Sequence, residues 1–208
     1  MRLQADVVEG VARALGLSSV ALLTHDMGDT VGGELLARQV EGTWPVDVTT
    51  RVVTNGSIYI EMAHLTDGQH ALLSLPDAQL PEGVGSDPAR LAAALVATLS
   101  PGHADVDMLP HAEAACSDGG ARLMPRLVRY IEERRTTERR YTGAIETHPS
   151  PLHIVWGPED PIAVRAMPEH LASVRPDATL RWIEDAGHYP QLEDPDAWLA
   201  AVLTALDD

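Results

Sequence analysis

Four short runs of β-branched and apolar residues govern what this chain can become. They are SSVALLTHD (18–26), VDVTTRVVTNG (46–56), LHIVWG (152–157) and TLRWIED (179–185). Stretches with helical spacing lie beside them, at roughly 30–40, 123–145, 166–174 and 195–206. Strands alternating with helices argue for a parallel α/β sheet with right-handed crossovers. SSVALLTHD has the continuous apolar character of a strand buried on both faces. The chain opens on an amphipathic helix that puts Val7, Val8, Val11, Ala14 and Leu15 on one face, and Gly16 suits its C-terminal end.

One stretch breaks the alternation. Residues 60–123 hold many Pro, Gly, Asp and Ala and no convincing strand. LPDAQLPEGVGSDP reads as a loop and ARLAAALVATL as a helix. About sixty residues is too long for a simple connection, so the segment reads as a helical cap inserted over the sheet. The expected division is a first core part at 1–59, the cap at 60–123 and a second core part at 124–208.

Composition narrows the function classes. Fifteen Lys and Arg against thirty-one Asp and Glu give a net charge of −16, which disfavours nucleic acid and anionic membrane surfaces as partners. No run approaches the ~20 apolar residues of a membrane span, and the N-terminus lacks a signal-peptide core. The single cysteine, Cys116, leaves no internal disulfide, and a cytoplasmic home fits. The chain lacks phenylalanine, so its core must be built from aliphatic residues and a few Trp and Tyr. Nine histidines are scattered without metal-ligand spacing, and neither a metal nor a cofactor is expected.

The chemistry concentrates at THDMG (24–28), where the first strand turns into a helix. The pattern small-x-nucleophile-x-small is that of a nucleophile elbow, a strained strand-to-helix turn. Asp26 takes the nucleophile position. An aspartate before a helix can equally be an N-cap. Two further residues bear on the choice: WGPEDP ends the third strand and supplies Asp160, and DAGHYP follows the fourth and supplies His188. Nucleophile, acid and histidine thus come in the order this type of fold uses, each at a C-terminal strand end.

THDMGDTVGGELLAR resembles the elbow of the aspartate-nucleophile branch of the α/β-hydrolases, the epoxide hydrolases and haloalkane dehalogenases. Together with RYIEERRTTERRYTGAI, IVWGPEDPI and GHYPQLEDP, it is most similar to the mesoderm-specific-transcript-like group of that branch. The resemblance implies a hydrolase for a small apolar electrophile. Asp26 attacks carbon to form an alkyl-enzyme ester, and His188, oriented by Asp160, activates the water that hydrolyses it. The Met27 backbone N–H would be one oxyanion donor, and His25 lies beside it.

The chain also departs from the branch pattern. Haloalkane dehalogenases carry Trp after the nucleophile, and Met27 cannot donate a bond to halide. Epoxide opening uses phenol donors, for which Tyr130 and Tyr141 are candidates and Tyr59 a weaker one; each can also be a packing residue. Asn55, at the end of the second strand, either lines the pocket or serves a turn. ERRTTERR reads as a salt-bridged, solvated helix face. Only the last four strands of the eight-strand core are visible, a partial α/β-hydrolase fold. The strand at 18–26 then becomes a sheet edge, which points to truncation and to self-association through that strand. An inactive remnant or a binding module enclosing an apolar ligand is the reading from outside enzymology.

Overall fold

The computed structural model describes residues 1–85 and 87–207; Ser86, within the predicted loop, and Asp208 lie outside the described residues. The chain runs through α1 (Arg2–Ala14), β1 (Ser19–His25), α2 (Met27–Val40) and β2 (Asp47–Thr54). A helical segment follows, with α3 (Asp67–Leu73), α4 (Pro88–Val96), α5 (Leu109–Cys116) and short α6 (Met124–Leu127). The long α7 (Tyr130–Thr147) leads into β3 (Leu152–Trp156), α8 (Ala166–Val174), β4 (Thr179–Trp182), short α9 (Pro190–Glu193) and α10 (Pro195–Asp207). The four strands form one parallel sheet in the order β1-β2-β3-β4. This is the α/β architecture that the alternation of runs predicts, with strand bounds shifted by at most three residues.

The sheet sorts its side chains by the two-residue period of a strand. Val53, Leu152, Ile154 and Trp156 pack into the larger core with Leu35, Leu36, Ile145, Met167 and Leu171 from α2, α7 and α8. Val52 and Val155 face the other way, against Ala201, Val202 and Ala205 of α10. β3 is buried throughout, whereas β1 alternates between exposed and half-buried residues. The expectation that 18–26 is buried on both faces is therefore corrected. β1 has a single neighbour among the described residues, and Leu23 remains 42% exposed.

α1 keeps its apolar row on one face and turns that face to solvent. Val7, Val8, Val11 and Leu15 face outward, while the small Ala5 and Ala12 are buried. Polar contacts seat the helix this way: Arg38 of α2 binds Asp6 and Glu9 of α1 as well as Glu34 on its own helix. A buried guanidinium fixes the entry to β3. Arg51 donates to the carbonyls of Ile145, His148 and Ser150 and to Ser150 Oγ, all within 3.0 Å. Burial lowers its pKa to about 10, so it remains a cation at neutral pH. Among the described residues no helix is long and apolar enough to cross a membrane.

Candidate active site

The turn after β1 is strained in the way an elbow requires. Asp26 sits at φ 49 and ψ −120, a conformation that costs a non-glycine residue about 1–3 kcal/mol and persists only where the surroundings impose it. The Asp26 N–H still bonds Thr54 O at 3.2 Å, so the strand ladder runs to the turn itself. Although Asp26 occupies the N-cap position of α2, its side chain makes no capping hydrogen bond. That removes the simple capping role and leaves the carboxylate free to face the site, 35% exposed. The tight approach behind the turn is at Gly32, where a Cβ would come within 2.9 Å of the Thr24 methyl; at Gly28 the contact would be an ordinary 3.9 Å.

His188 and Asp160 converge on Asp26 from the ends of β4 and β3. His188 Nδ1 donates to Asp160 Oδ2 at 2.7 Å, and Nε2 lies 3.8 Å from Asp26 Oδ2. Asp160 is buried and saturated with donors. Its Oδ1 accepts the N–H groups of Ile162 and Ala163, and its Oδ2 accepts Asn55 Nδ2 as well as the imidazole. Burial alone would push the His188 pKa down. The hydrogen bonds and charges of Asp160 and Asp26 more than offset this and raise it to about 10. Burial likewise opposes ionisation of Asp26, but the hydrogen bond and charge of His188 prevail and hold it below its ordinary value. The resting pair is a carboxylate beside an imidazolium.

Asn55 is fully buried at φ 44 and ties three strand ends together. Its amide nitrogen donates to Gly157 O, Gly187 O and Asp160 Oδ2, and its Oδ1 accepts the Gly157 N–H. It serves the turn and the acid at once. His25 donates from Nδ1 to Thr54 O at 3.2 Å, since a carbonyl can only accept; Nε2 is then a bare acceptor, buried without a partner. Burial and the nearby His188 lower its pKa, so it stays neutral. Its ring lies 5.5 Å from that of His188 and 5.4 Å from that of Tyr189. Met27 begins α2, where the first N–H groups have no partner inside the helix.

The tyrosine candidates part company. Tyr130 feels the Asp26 charge: burial first, and then that carboxylate, raise its phenol to about 12. Tyr141 is buried on α7 with its hydroxyl donating to Glu133, which also binds the chain's amino terminus. Tyr59 donates to Glu146 at 2.9 Å. The hydroxyls of Tyr141 and Tyr59 are thus each taken up by a carboxylate.

Three residues escape the sequence reading. Arg134 lies inside the ERRTTERR run, yet it is buried rather than solvated. It donates to Ser57 O and Thr30 Oγ1, lies 4.9 Å over the Tyr130 ring, and acts electrostatically on Asp26. Tyr189 packs edge-on against His188 at 4.9 Å. Glu193, with a fully buried side chain, accepts the N–H groups of Ser100, Gly187 and Tyr189, binding the helical segment to the loop that carries His188. The His188 N–H in turn bonds Thr98 O. The GHYPQLEDP stretch contained the signal for Glu193, a carboxylate one turn beyond a candidate histidine.

An elbow, an acid–histidine pair and a parallel sheet are the parts of one fold. The model of the alpha/beta hydrolase family matches residues 2–202. The chain belongs to the alpha/beta hydrolase family. LipZ of Mycobacterium tuberculosis, described as a hydrolase, is 35% identical to this alpha/beta hydrolase over 99% of its length and 71% of LipZ. The mesoderm-specific transcript protein of Mus musculus is 32% identical, covering 96% of this chain and 62% of that protein. Among solved structures, the 2-hydroxy-6-oxo-6-phenylhexa-2,4-dienoate hydrolase of Rhodococcus sp. strain RHA1 superposes with a TM-score of 0.69 at 14% identity, covering 98% of this chain and 69% of that one. A point mutant of the meta-cleavage product hydrolase CumD gives 0.72 at 15% identity, covering 98% and 70%. At such identities these structures speak for the fold alone.

Proposed function

We propose that this alpha/beta hydrolase opens a small apolar electrophile, an epoxide in the first instance, through an ester on Asp26. The observation that carries the reading is a strained aspartate with His188 Nε2 3.8 Å from its Oδ2 and Asp160 bound to the other ring nitrogen. An Asp26 oxygen attacks a ring carbon, the carbon–oxygen bond of the epoxide breaks, and the phenol of Tyr130 protonates the departing alkoxide. Esterification removes the Asp26 charge, which is one of the two that keep His188 protonated. The imidazole pKa then falls and its proton passes to the Tyr130 phenolate, so the first step restores the acid and prepares the base for the second. Neutral His188 takes a proton from water, and the hydroxide adds to the ester carbonyl carbon. The Met27 N–H stabilises the oxyanion; collapse breaks the ester carbon–oxygen bond, the proton on the new carboxyl group goes to the departing alkoxide, and the diol leaves with the Asp26 carboxylate restored. His25 Nε2, an acceptor with no protein partner, suits a water or a substrate hydroxyl.

A haloalkane dehalogenase is the weaker enzymatic reading, because Met27 offers no indole to a leaving halide. A cavity of about 470 Å³ within the helical segment, lined by Leu72, Leu80, Leu91, Ala94, Cys116 and Met124, favours a second reading in which the chain holds an apolar ligand without turning it over. Single turnover in heavy-oxygen water separates the two, since a chain that only binds forms no product and takes up no label. Hydrolysis through the ester deposits label in the peptide containing Asp26, whereas direct attack of water on the substrate labels the product alone and would overturn the proposal.

A further inference from the structure

We infer that Asp29 is a positioning residue held as a neutral carboxylic acid, which staples the end of β1 at Thr24 to the first turn of α2 beneath Asp26 and keeps a second negative charge out of the site. This rests on the reading of Asp26 as nucleophile. Asp29 lies in the first turn of α2, buried to 1% exposure. Its N–H bonds Asp26 O at 3.1 Å. Its Oδ1 is hydrogen-bonded to Thr24 Oγ1, which also lies 3.4 Å from Val52 O. A hydroxyl has one proton. Thr24 can donate to an ionised Asp29; with Asp29 protonated the acid donates instead, and the hydroxyl turns its own proton to the carbonyl.

The second carboxyl oxygen supports the same state. Asp29 Oδ2 is buried without a partner, an arrangement tolerable for a carbonyl-like oxygen and costly for half of a carboxylate. Gly56 explains why nothing else fills the space. A Cβ there would fall 2.2 Å from Oδ2, so the backbone after Asn55 packs directly on this acid. Charged groups face Asp29 from two elements: Asp26 on the turn opposes its ionisation and Arg134 from α7 favours it, as do hydrogen bonds from the Thr24 hydroxyl and the Thr54 backbone. Burial is the largest influence and raises the group to about 8. The neighbours do not titrate there: His25 is shifted down, His188 lies at about 10, and Tyr130 at about 12.

Two measurements on the full chain test this, one independent of turnover. An acid with a folded-state pKa above its unfolded value holds a proton that the unfolded chain lacks, so stability declines as pH rises through that window and levels off above about 8. The melting temperature of wild type should therefore fall relative to Asp29→Asn between about pH 5 and pH 8. In parallel, formation of the Asp26 adduct with styrene oxide, read by intact mass after rapid quench, should slow about tenfold from pH 7 to pH 9, the ratio of protonated fractions for a group titrating near pH 8. Asp29→Asn, which keeps the shape but cannot ionise, should lose less than about threefold over that range. Superimposable pH dependences of melting and alkylation in the two proteins would overturn the proposal. Should Asp29→Asn not fold, Thr24→Val removes the staple while leaving Asp29 titratable. It should alkylate more slowly at neutral pH yet keep the alkaline loss, and an unchanged rate would count against the staple. A wild type that forms no adduct at any pH sinks the nucleophile assignment instead, and the melting comparison alone then decides whether Asp29 is neutral.

Discussion

Asn55 donates its side-chain amide to Asp160 Oδ2 across 2.8 Å, onto the same oxygen that receives the His188 Nδ1 hydrogen bond. The amide therefore sets where the acid stands, and through it where the imidazole points. Asn55→Ala should leave Asp160 one donor short and the Gly157 N–H unpaired, at a cost of about 1–3 kcal/mol. The urea midpoint should drop with its slope unchanged. Turnover should fall at least about tenfold, equivalent to about 1.4 kcal/mol of transition-state stabilisation. A variant with wild-type stability and rate would show the amide to be incidental.

Removing the base should divide the two chemical steps. His188→Ala is expected to alkylate and then stall, with ester hydrolysis slowed about 10²–10⁴-fold and the adduct visible by intact mass. Asp160→Asn should slow the same step less. In wild type, hydrolysis of the isolated alkyl-enzyme should accelerate with rising pH as His188 loses its proton, with an inflection well below the pH of about 10 at which the resting imidazole titrates. An inflection at the resting value would mean that Asp26 contributes nothing to His188 basicity.

Two tyrosines on one helix should respond differently. Tyr130→Phe should depress epoxide opening, measured as the rate of adduct formation, by about tenfold or more. Tyr141→Phe should lower stability by about 1 kcal/mol through the lost bond to Glu133 while alkylation continues. Equal kinetic effects from both would remove Tyr130 from the mechanism.

Glu193 accepts three backbone N–H groups from two parts of the chain. Glu193→Ala should therefore loosen the helical segment and the His188 loop together. Hydrogen exchange of the Ser100 and Gly187 amides should rise in parallel, and stability should fall by about 1–3 kcal/mol for each amide left unpaired in the interior. Faster exchange at one amide alone would show that the carboxylate does not couple the two.

We propose that the side of β1 with no strand neighbour among the described residues, together with the outward row of α1, takes a second copy of this 208-residue chain. Its mass by light scattering should grow with concentration, and Leu23→Lys should reduce that growth by placing a charge on the free strand. A constant monomer mass across the range would refute it.

The sheet was legible because continuous β-branched runs flanked by helical spacing leave few alternatives. The order of Asp26, Asp160 and His188 was legible because each stands at a strand end, where local sequence fixes the position. What stayed hidden depends on docking. Arg134 and the exposed arginines of its run share one chemistry, and only the seating of α7 on α2 decides which of them is buried. The same seating brings Tyr130 under the influence of Asp26 and hands the Tyr141 hydroxyl to Glu133. The valine row of α1 reads as a core face until the Arg38 ion pairs fix the helix the other way round. Asp29 looks like an ordinary first-turn carboxylate, and its burial arises from the backbone at Gly56, distant in sequence.

Gly33 lets α2 and α7 touch backbone to backbone, for a Cβ there would stand 2.6 Å from the Tyr141 carbonyl oxygen. That single missing methyl sets the spacing of the two helices, and α7 carries both Arg134 and Tyr130. On the proposed mechanism, enlarging residue 33 would shift those two side chains relative to Asp26 from behind the helix, so position 33, randomised together with a few residues on the facing side of α7, would retune the site without replacing any residue assigned to it.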